Sequence, residues 1–432
     1  MPSVIIETHG CKLNTADSQR IARDLINAGF TIAGEPDTPD VYLLNSCTVT
    51  HVADRKARRA ISAARRRFPD ALVVASGCYP ERDTETVAAL AGVDLVITNR
   101  QKGEIVERLS ERLGVQPTRN PDQDVFDPML PLLGRTRASI KIQEGCDQVC
   151  AYCIVPTVRG RERSVPVAEI VAQANEASER GCKEIVLTGT QLGSYGFDLA
   201  RKGTNRPDLP GMLRTLLRET EVPRIRVSSL QPQEITDELL GLWTESASRL
   251  CPHFHIALQS GSDAVLKRMR RRYTADDFLS ALKRVRDAVP GVAITTDVIA
   301  GFPGESGNDF ENTVAVLGAA AFADLHVFPY SVRAGTSAAH FDEQVPDQVR
   351  AERAAAIRAL GARDFRLFRE ALAGQAHSVL WERDDPAEGL TANYVRVRLD
   401  PQLRTGRARA NQIEDVVLGE LQDGLIIATP GV

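Results

Sequence analysis

Short apolar runs alternate with amphipathic stretches along most of this chain. Val4-Ile5-Ile6-Glu7-Thr8 reads as a strand, and helical periodicity follows near Thr15–Ala28. Val41–Asn45 reads as the next strand, ahead of an arginine-rich helix near Val52–Phe68; Leu72–Ala75 and Asp94–Ile97 read as two more. Brief apolar runs separated by helix-length segments are the signature of parallel strands with helices on their faces. Residues 1–115 therefore predict an N-terminal parallel α/β sheet domain. Residues 116–137 hold many Pro and Asp without periodicity and predict a linker.

From residue 138 the alternation resumes six times. The predicted strands are Ser139–Gln143, Glu184–Leu187, Arg224–Ser228, His253–Leu258, Ala293–Val298 and Asp324–Phe328. Helical patterns such as Val167–Ser178, Ala275–Asp287 and Asn308–Leu317 separate them, and a charged helix follows near Asp347–Ala371. Six βα units over residues 138–372 fit an incomplete (βα)6 barrel or an open sheet. Residues 373–432 change character: short strands at Ser378–Trp381, Tyr394–Leu399, Arg407–Ala410 and Gly424–Ala428, with no helix between them. They predict a small all-β barrel, making the whole an α/β multidomain protein.

Composition narrows the class. At about 150 residues per domain, 432 residues suggest three domains. Apolar residues at 43% and charged residues at 25% exclude a disordered or fibrous chain. A formal charge of −4 excludes a uniformly basic nucleic-acid coat, but not a basic face. No apolar run approaches the ~18 residues that span a bilayer. The segment MPSVIIETHGCKLN has no basic start and apolar core, so no signal peptide is read there. The expectation is a cytoplasmic protein with no membrane partner, where eight cysteines are not disulfides.

Cys146, Cys150 and Cys153 are spaced C-x3-C-x2-C just past the first strand of the second region. Structural zinc wants four ligands in paired spacings, and no fourth Cys or His is near. Three thiolates in one loop can instead hold three irons of a [4Fe-4S] cluster and leave the fourth open, since such clusters normally take four cysteines. Cys11, Cys47 and Cys78 are distant in sequence, yet each lies just beyond a predicted strand. The carboxyl ends of parallel strands point the same way, so these three converge and predict a second three-cysteine site. Cys182 and Cys251 precede strands at the opposite, amino edge and read as structural thiols.

The loop GCDQVCAYCIVPTVRGRERS (145–164), with Tyr152 before its last Cys, resembles the signature of radical S-adenosylmethionine enzymes. Together with Cys11, Cys47, Cys78 and the all-β tail, it is similar to the radical S-adenosylmethionine methylthiotransferase family. VLTGTQLGSYG (186–196), HIALQSGSDAVLKRMRRRYT (255–274), DVIAGFPGES (297–306) and HVFPYSVRAGT (326–336) carry the likeness over essentially the whole chain, most like the bacterial tRNA threonylcarbamoyladenosine branch. The resemblance implies a radical-SAM barrel, a TRAM-like RNA-binding tail, S-adenosyl-L-methionine and two [4Fe-4S] clusters. It implies insertion of sulfur and a methyl group at C2 of N6-threonylcarbamoyladenosine, beside the anticodon of tRNA. Sister branches act on isopentenyladenosine in tRNA or on a ribosomal-protein aspartate; a different class would be a non-enzymatic RNA-binding iron–sulfur scaffold. The first cluster would bind S-adenosylmethionine at its open iron and the second would hold the inserted sulfur, so both must face one cavity. A low-potential electron donor and a sulfur donor are implied partners.

Further positions follow from the likeness and the topology. Gly189 and Thr190 match the segment that receives the methionine amino group, and Tyr152 is placed to contact the adenine. Gly301 would let the nucleoside approach closely. Ser228, Ser229, Gln259 and Asp297 end strands, where cavity polar groups or caps are expected. Basic clusters at Arg55, Lys56, Arg58, Arg59, Arg65, Arg66 and Arg67, at Lys267, Arg268, Arg270, Arg271 and Arg272, and at Arg159, Arg161 and Arg163 are candidate faces for a tRNA anticodon stem-loop. The tail offers Arg396, Arg398, Arg404, Arg407 and Arg409, with Tyr394 as a stacking ring. Residues 374–432 nevertheless hold six basic and nine acidic side chains, so RNA binding there needs segregated charge.

Overall fold

The computed structural model describes residues 1–34, 38–117, 136–199, 206–246, 249–403 and 407–431. Most of the predicted linker and Arg404 lie outside the described residues.

The first sheet comprises β1 (Ser3–Thr8), β2 (Thr31–Ile32), β3 (Val41–Ser46), β4 (Leu72–Gly77) and β5 (Leu95–Thr98). All are parallel, in the order β2-β1-β3-β4-β5. The period-two alternation of β3 serves two faces. Val41 and Leu43 pack under Ile21, Leu25 and Leu109, while Tyr42 and Leu44 pack under Ala57 and Ile61. The first face is covered by helix α1 (Lys12–Asn27), the second by α2 (His51–Arg67). Thr50 caps α2, its hydroxyl accepting from Ala53 N at 3.2 Å. The apolar stripe Ala57, Ile61, Ala64 is buried and the arginines point outward.

The middle of the chain supplies β6 (Arg137–Lys141), a short antiparallel pair β7 (Gln143–Glu144) and β8 (Arg163–Ser164), then β9 (Glu184–Thr188), β10 (Arg224–Val227), β11 (Ser229–Leu230), β12 (His253–Ile256), β13 (Ala293–Ala300) and β14 (Asp324–Pro329). Apart from the β7–β8 pair they form two parallel sheets, β10-β9-β6 and β11-β12-β13-β14, with an isolated parallel bridge from Ile225 of β10 to Leu250, just ahead of β12. Ile140, Ile185, Leu187, Ile225, Phe254, Ile256 and Val298 pack in one core with the surrounding helices. Their alternates Arg137, Glu184, Arg226, His255 and Asp297 are polar and pair with one another.

Helix α1 of the first sheet lies along β6. Ser139 N donates to Gln19 Oε1 at 2.8 Å, and Gln19 Nε2 donates to Arg137 O at 3.3 Å, so an edge strand is closed by a side-chain amide. The tail is a closed barrel of β15 (Ala376–Asp384), β16 (Ala387–Thr391), β17 (Arg396–Leu399), β18 (Ile413–Gln422) and β19 (Leu425–Pro430). It sits at the amino edge of the middle sheets: Arg224 donates to Leu390 O (3.1 Å) and Ser378 Oγ (2.7 Å), and Arg226 to Ala392 O (3.0 Å).

Two tail expectations are corrected. Arg407–Ala410 is not a strand, because Asp384 Oδ1 takes the amides of Arg409 (2.6 Å) and Ala410 (2.8 Å) out of any ladder. Tyr394 is not a free stacking ring: it lies flat on His253, centroids 4.3 Å apart, held in a left-handed turn with φ 68°. Among the described residues, no helix is long and apolar enough to cross a membrane.

Candidate active site

Cys11 is the N-cap residue of α1, Cys47 follows β3 directly, and Cys78 opens the short helix α3 (Cys78–Arg82) after β4. The strand ends therefore bring the three thiols together. Gly10, at φ +123°, lets Cys47 come close to the loop before α1: a Cβ there would stand 2.5 Å from Cys47 Cβ. Asn14 Oδ1 lies 4.0 Å from Cys11 Sγ and 3.9 Å from Cys78 Sγ. Val49 N donates to Cys47 Sγ and Asn99 Nδ2 to Cys78 Sγ, each at 3.4 Å. Burial, with the Cys11 and Cys78 sulfurs beside it, pushes the Cys47 thiol up to about 12. Three soft donors in one another's field, with amide donors on their sulfurs, are a donor set suited to an iron–sulfur core.

Cys146, Cys150 and Cys153 occupy the loop between β7 and the helix Val155–Arg159. Gly145, at φ +77°, allows the loop to cross Arg161, whose carbonyl oxygen would lie 1.9 Å from a Cβ. Gln148 N donates to Cys146 Sγ (3.4 Å) and Arg271 Nη1 to Cys150 Sγ (3.3 Å). Burial lifts the Cys146 thiol to about 11 and the Cys153 thiol to about 12.

The two triads are neighbours. Ile154, next to Cys153, packs on Cys78 and Val158, and Asn99 Nδ2 bridges Cys78 Sγ to Val158 O (2.7 Å). A cavity of about 180 Å³ lies beside Cys153, lined also by Thr50 near Cys47, by Tyr152, and by Gln259, Asp297 and Phe328 of the middle region. Exposed Val49 and Phe328 form its rim.

Other expected positions divide. Tyr152 is half-buried, edge-on to Phe302, centroids 6.4 Å apart. Gln259, at φ 67°, accepts Ile299 N and donates its own N–H to Asp297 O, both at 2.9 Å. Asp297 lies between His255 Nε2 (3.3 Å) and His326 Nδ1 (3.1 Å); burial opposes its ionisation, but the two rings hold the carboxyl well below its usual range. Thr190 N donates to Gln143 Oε1 at 2.8 Å, and Gly189 abuts Leu192. Ser229 is exposed, outside the cavity, while Ser228 is buried. The close neighbour for which Gly301 makes room is Arg350, 2.3 Å from a Cβ placed there, and not open space for a nucleoside. Cys182 and Cys251 are buried at the amino edge.

A family model described as the radical SAM superfamily matches residues 140–317, and one described as uncharacterized protein family UPF0004 matches residues 3–98. The threonylcarbamoyladenosine tRNA methylthiotransferase MtaB of Bacillus subtilis (strain 168) is 38% identical over 414 residues, covering 92% of this chain and 90% of that protein. The chain belongs to the radical S-adenosylmethionine methylthiotransferase family. The MtaB protein of Aquifex aeolicus (strain VF5) is 36% identical, covering 94% of this chain and 98% of its own. The tRNA-2-methylthio-N(6)-dimethylallyladenosine synthase of Methylacidiphilum infernorum is 34% identical, covering 82% and 78%. Among solved structures, the radical S-adenosylmethionine methyltransferase TsrM of Kitasatospora setae shares the fold at a TM-score of 0.54 and 15% identity, covering 76% of this chain and 73% of that one.

As a methylthiotransferase of this family the protein is an enzyme that uses S-adenosylmethionine and [4Fe-4S] clusters. Several cations read as RNA-facing turn elsewhere in the methylthiotransferase, and Glu234 was not singled out from sequence. Arg271, read with the RNA-facing arginines, turns inward to Cys150 and to Gln231 Oε1 (3.0 Å). Glu234, whose side chain accepts from Gln191 and from Gln231 N (2.8 Å), is raised by burial to about 7. Arg159 is buried against Asp17 (3.0 Å), Glu144 (2.6 Å) and Asn14 (2.5 Å). Arg268 donates to Pro303 O and Arg65 pairs with Asp94. Arg55, Lys56, Arg58, Arg59 and Arg66 remain exposed on α2, which starts four residues after Cys47.

Proposed function

We propose that this enzyme methylthiolates C2 of N6-threonylcarbamoyladenosine beside the anticodon of tRNA. The observation that carries the reading is the adjacency of the two cysteine triads, Ile154 packing on Cys78 beside a cavity lined by Cys153 and by Val49 and Thr50 just past Cys47. The substrate follows the names of the MtaB relatives, which are 31–38% identical over most of the chain. Cys146, Cys150 and Cys153 would hold the cluster that binds S-adenosylmethionine, and Cys11, Cys47 and Cys78 the auxiliary cluster that carries sulfur. When bound, the reduced cluster and S-adenosylmethionine supply the radical that takes the C2 hydrogen, and a second S-adenosylmethionine supplies the methyl group. The chain's own residues position and seal. Arg271 and the amide of Gln148 donate to the thiolates, Tyr152 walls the cavity, and Gln259, Asp297 and the Gly189–Thr190 turn offer polar contacts. Ser229 and Gly301 take no part in this reading.

In finer detail, the two middle sheets act as an incomplete (βα)6 barrel and the tail as a TRAM-like RNA-binding module. The exposed cations of α2 would meet phosphates while the target base is splayed into the cavity. A low-potential electron donor and a sulfur donor complete the reaction, in the cytoplasm. The test is mass spectrometry of tRNA nucleosides from a deletion strain, complemented with wild type or with Cys78→Ala. Methylthio-threonylcarbamoyladenosine should vanish in the deletion, return with wild type and stay absent with the variant. Its persistence in the deletion strain would refute the assignment.

A further inference from the structure

We propose that Lys12 reads the carboxylate of the threonylcarbamoyl group, and that the polar cavity beneath it receives that group. This rests on the substrate reading above and adds the residue that would select it. The cavity, of about 390 Å³, lies where the three folded units meet, lined by Lys12 and Thr15 of α1, Arg137 and Ser139 of β6, and Tyr394 and Arg396 of the tail. Two of its arginines, and the one behind its ring, are already matched, and the third lining arginine, Arg383, is exposed to solvent. Arg137 pairs with Glu382 (2.9 Å), Arg396 with the same carboxylate (3.3 Å), and Arg226, behind Tyr394, with Glu184 (2.7 Å). Among the described residues, no carboxylate comes within ion-pair distance of Lys12. Its recorded neighbour is the face of Tyr394, 5.8 Å from Nζ to the ring centroid. Arg137 and Arg226 lie over the same ring at 6.0 and 5.0 Å, and the lining carboxylate of Glu382 is taken by Arg137 and Arg396, so the ammonium sits among cations with no anion paired to it.

The placement fits the chemistry. Lys12 is the first residue of α1 and follows Cys11, so it borders the site where sulfur would be delivered. It also lies in the field of Asp297, which lines the cavity containing Cys153. A base presenting C2 to the two triads would thus bring its N6 substituent toward Lys12. The threonylcarbamoyl group is an anion at neutral pH and would complete the charge. A dimethylallyl group is hydrocarbon and would leave the half-buried ammonium without an anion. That is discrimination by an unmet charge as well as by attraction.

The experiment uses reconstituted holoenzyme and anticodon stem-loop RNAs carrying threonylcarbamoyladenosine, its methyl ester, dimethylallyladenosine or plain adenosine. Binding is read by fluorescence anisotropy, each affinity expressed relative to the plain-adenosine RNA. Wild type should favour the acid over its ester about 10- to 100-fold, the range of one charge-assisted hydrogen bond. Lys12→Met should erase that preference and Lys12→Arg should keep most of it, at equal iron content. The ester comparison needs no variant, so it stands whether or not Lys12→Met folds. If wild type binds acid and ester alike, or Lys12→Met keeps the preference, the inference is overturned while methylthiolation of the acid RNA leaves the substrate reading intact. Turnover of the dimethylallyl RNA alone would overturn both.

Discussion

Asp17 is the residue whose loss should be felt furthest. It is fully buried on α1 and accepts from Lys102 Nζ (2.7 Å), Lys141 Nζ (2.8 Å) and Arg159 (3.0 Å). Two of these cations belong to the middle region, so the cluster fastens the first sheet to β6 and to the cysteine loop. Burial alone would raise the Asp17 carboxyl, but Lys102, Arg159 and Lys141 hold it well below its ordinary value. Its contribution is therefore present above the unfolded carboxylate value, about 3.9, and is lost as pH falls through the lower folded one. Asp17→Asn keeps the shape and removes the charge, leaving Lys102 buried with no carboxylate. Breaking a buried ion pair from one side costs about 3–5 kcal/mol, a large part of the ~5–15 kcal/mol that holds a domain together. Urea unfolding at pH 7, followed by circular dichroism, should show that loss. Adding Lys102→Met should recover part of it, because the orphaned cation goes too. Arg159 also holds Asn14, which touches Cys11 and Cys78, so iron per chain in Asp17→Asn should fall from about eight to about four. A variant within about 1 kcal/mol of wild type, with full iron, would refute this account.

Three other outcomes are expected. Glu234, raised by burial to about 7, destabilises the fold progressively as pH climbs from the unfolded value toward 7; Glu234→Gln should flatten that slope and gain up to about 3 kcal/mol above pH 7 in urea titrations. Arg271→Ala should retain its iron yet release 5′-deoxyadenosine about 10- to 100-fold more slowly, since a charge-assisted hydrogen bond to Cys150 is lost; an unchanged rate would remove Arg271 from the site. Arg55→Ala with Arg59→Ala on the exposed face of α2 should weaken tRNA binding and lower the log–log salt slope by about 1–2, measured by filter binding from low to high salt.

The N-terminal sheet was legible because each strand is an apolar run with a helix-length gap after it, and Val41–Ser46 has side chains buried on both faces. The convergence of Cys11, Cys47 and Cys78 was legible for the same reason, since parallel strands fix where their ends point. The tail was harder. Arg407–Ala410 alternates like a strand, but a carboxylate on Asp384 takes its amides, and β16 (AEGLT) carries too few apolar residues to announce itself. Arg159 and Arg271 were misassigned to an RNA face because a charge shows no direction in sequence; their partners Asp17 and Cys150 lie 142 and 121 residues away. His255 and His326 went unnoticed beside Asp297. The signal was the alternation of His253 and His255, which places both rings on one face of β12.

Helix α1 explains why a polar seam, rather than an apolar one, joins the sheets. Cys11 caps it, Asn14 reaches Cys78, and Asp17 and Gln19 bind the middle region. From Cys11 to Gln19 is eight residues, about 12 Å of rigid rise. The distance between the two triads is then set by where Gln19 and Asp17 engage β6. An apolar helix face can slip along a sheet by a turn, about 5.4 Å, and still bury the same area. Slipping here would separate Asp17 from Lys141 and Arg159, and Gln19 from the Ser139 amide, at once. Directional bonds thus specify a register that hydrophobic burial leaves open, and the placement of the two triads beside one another depends on that register.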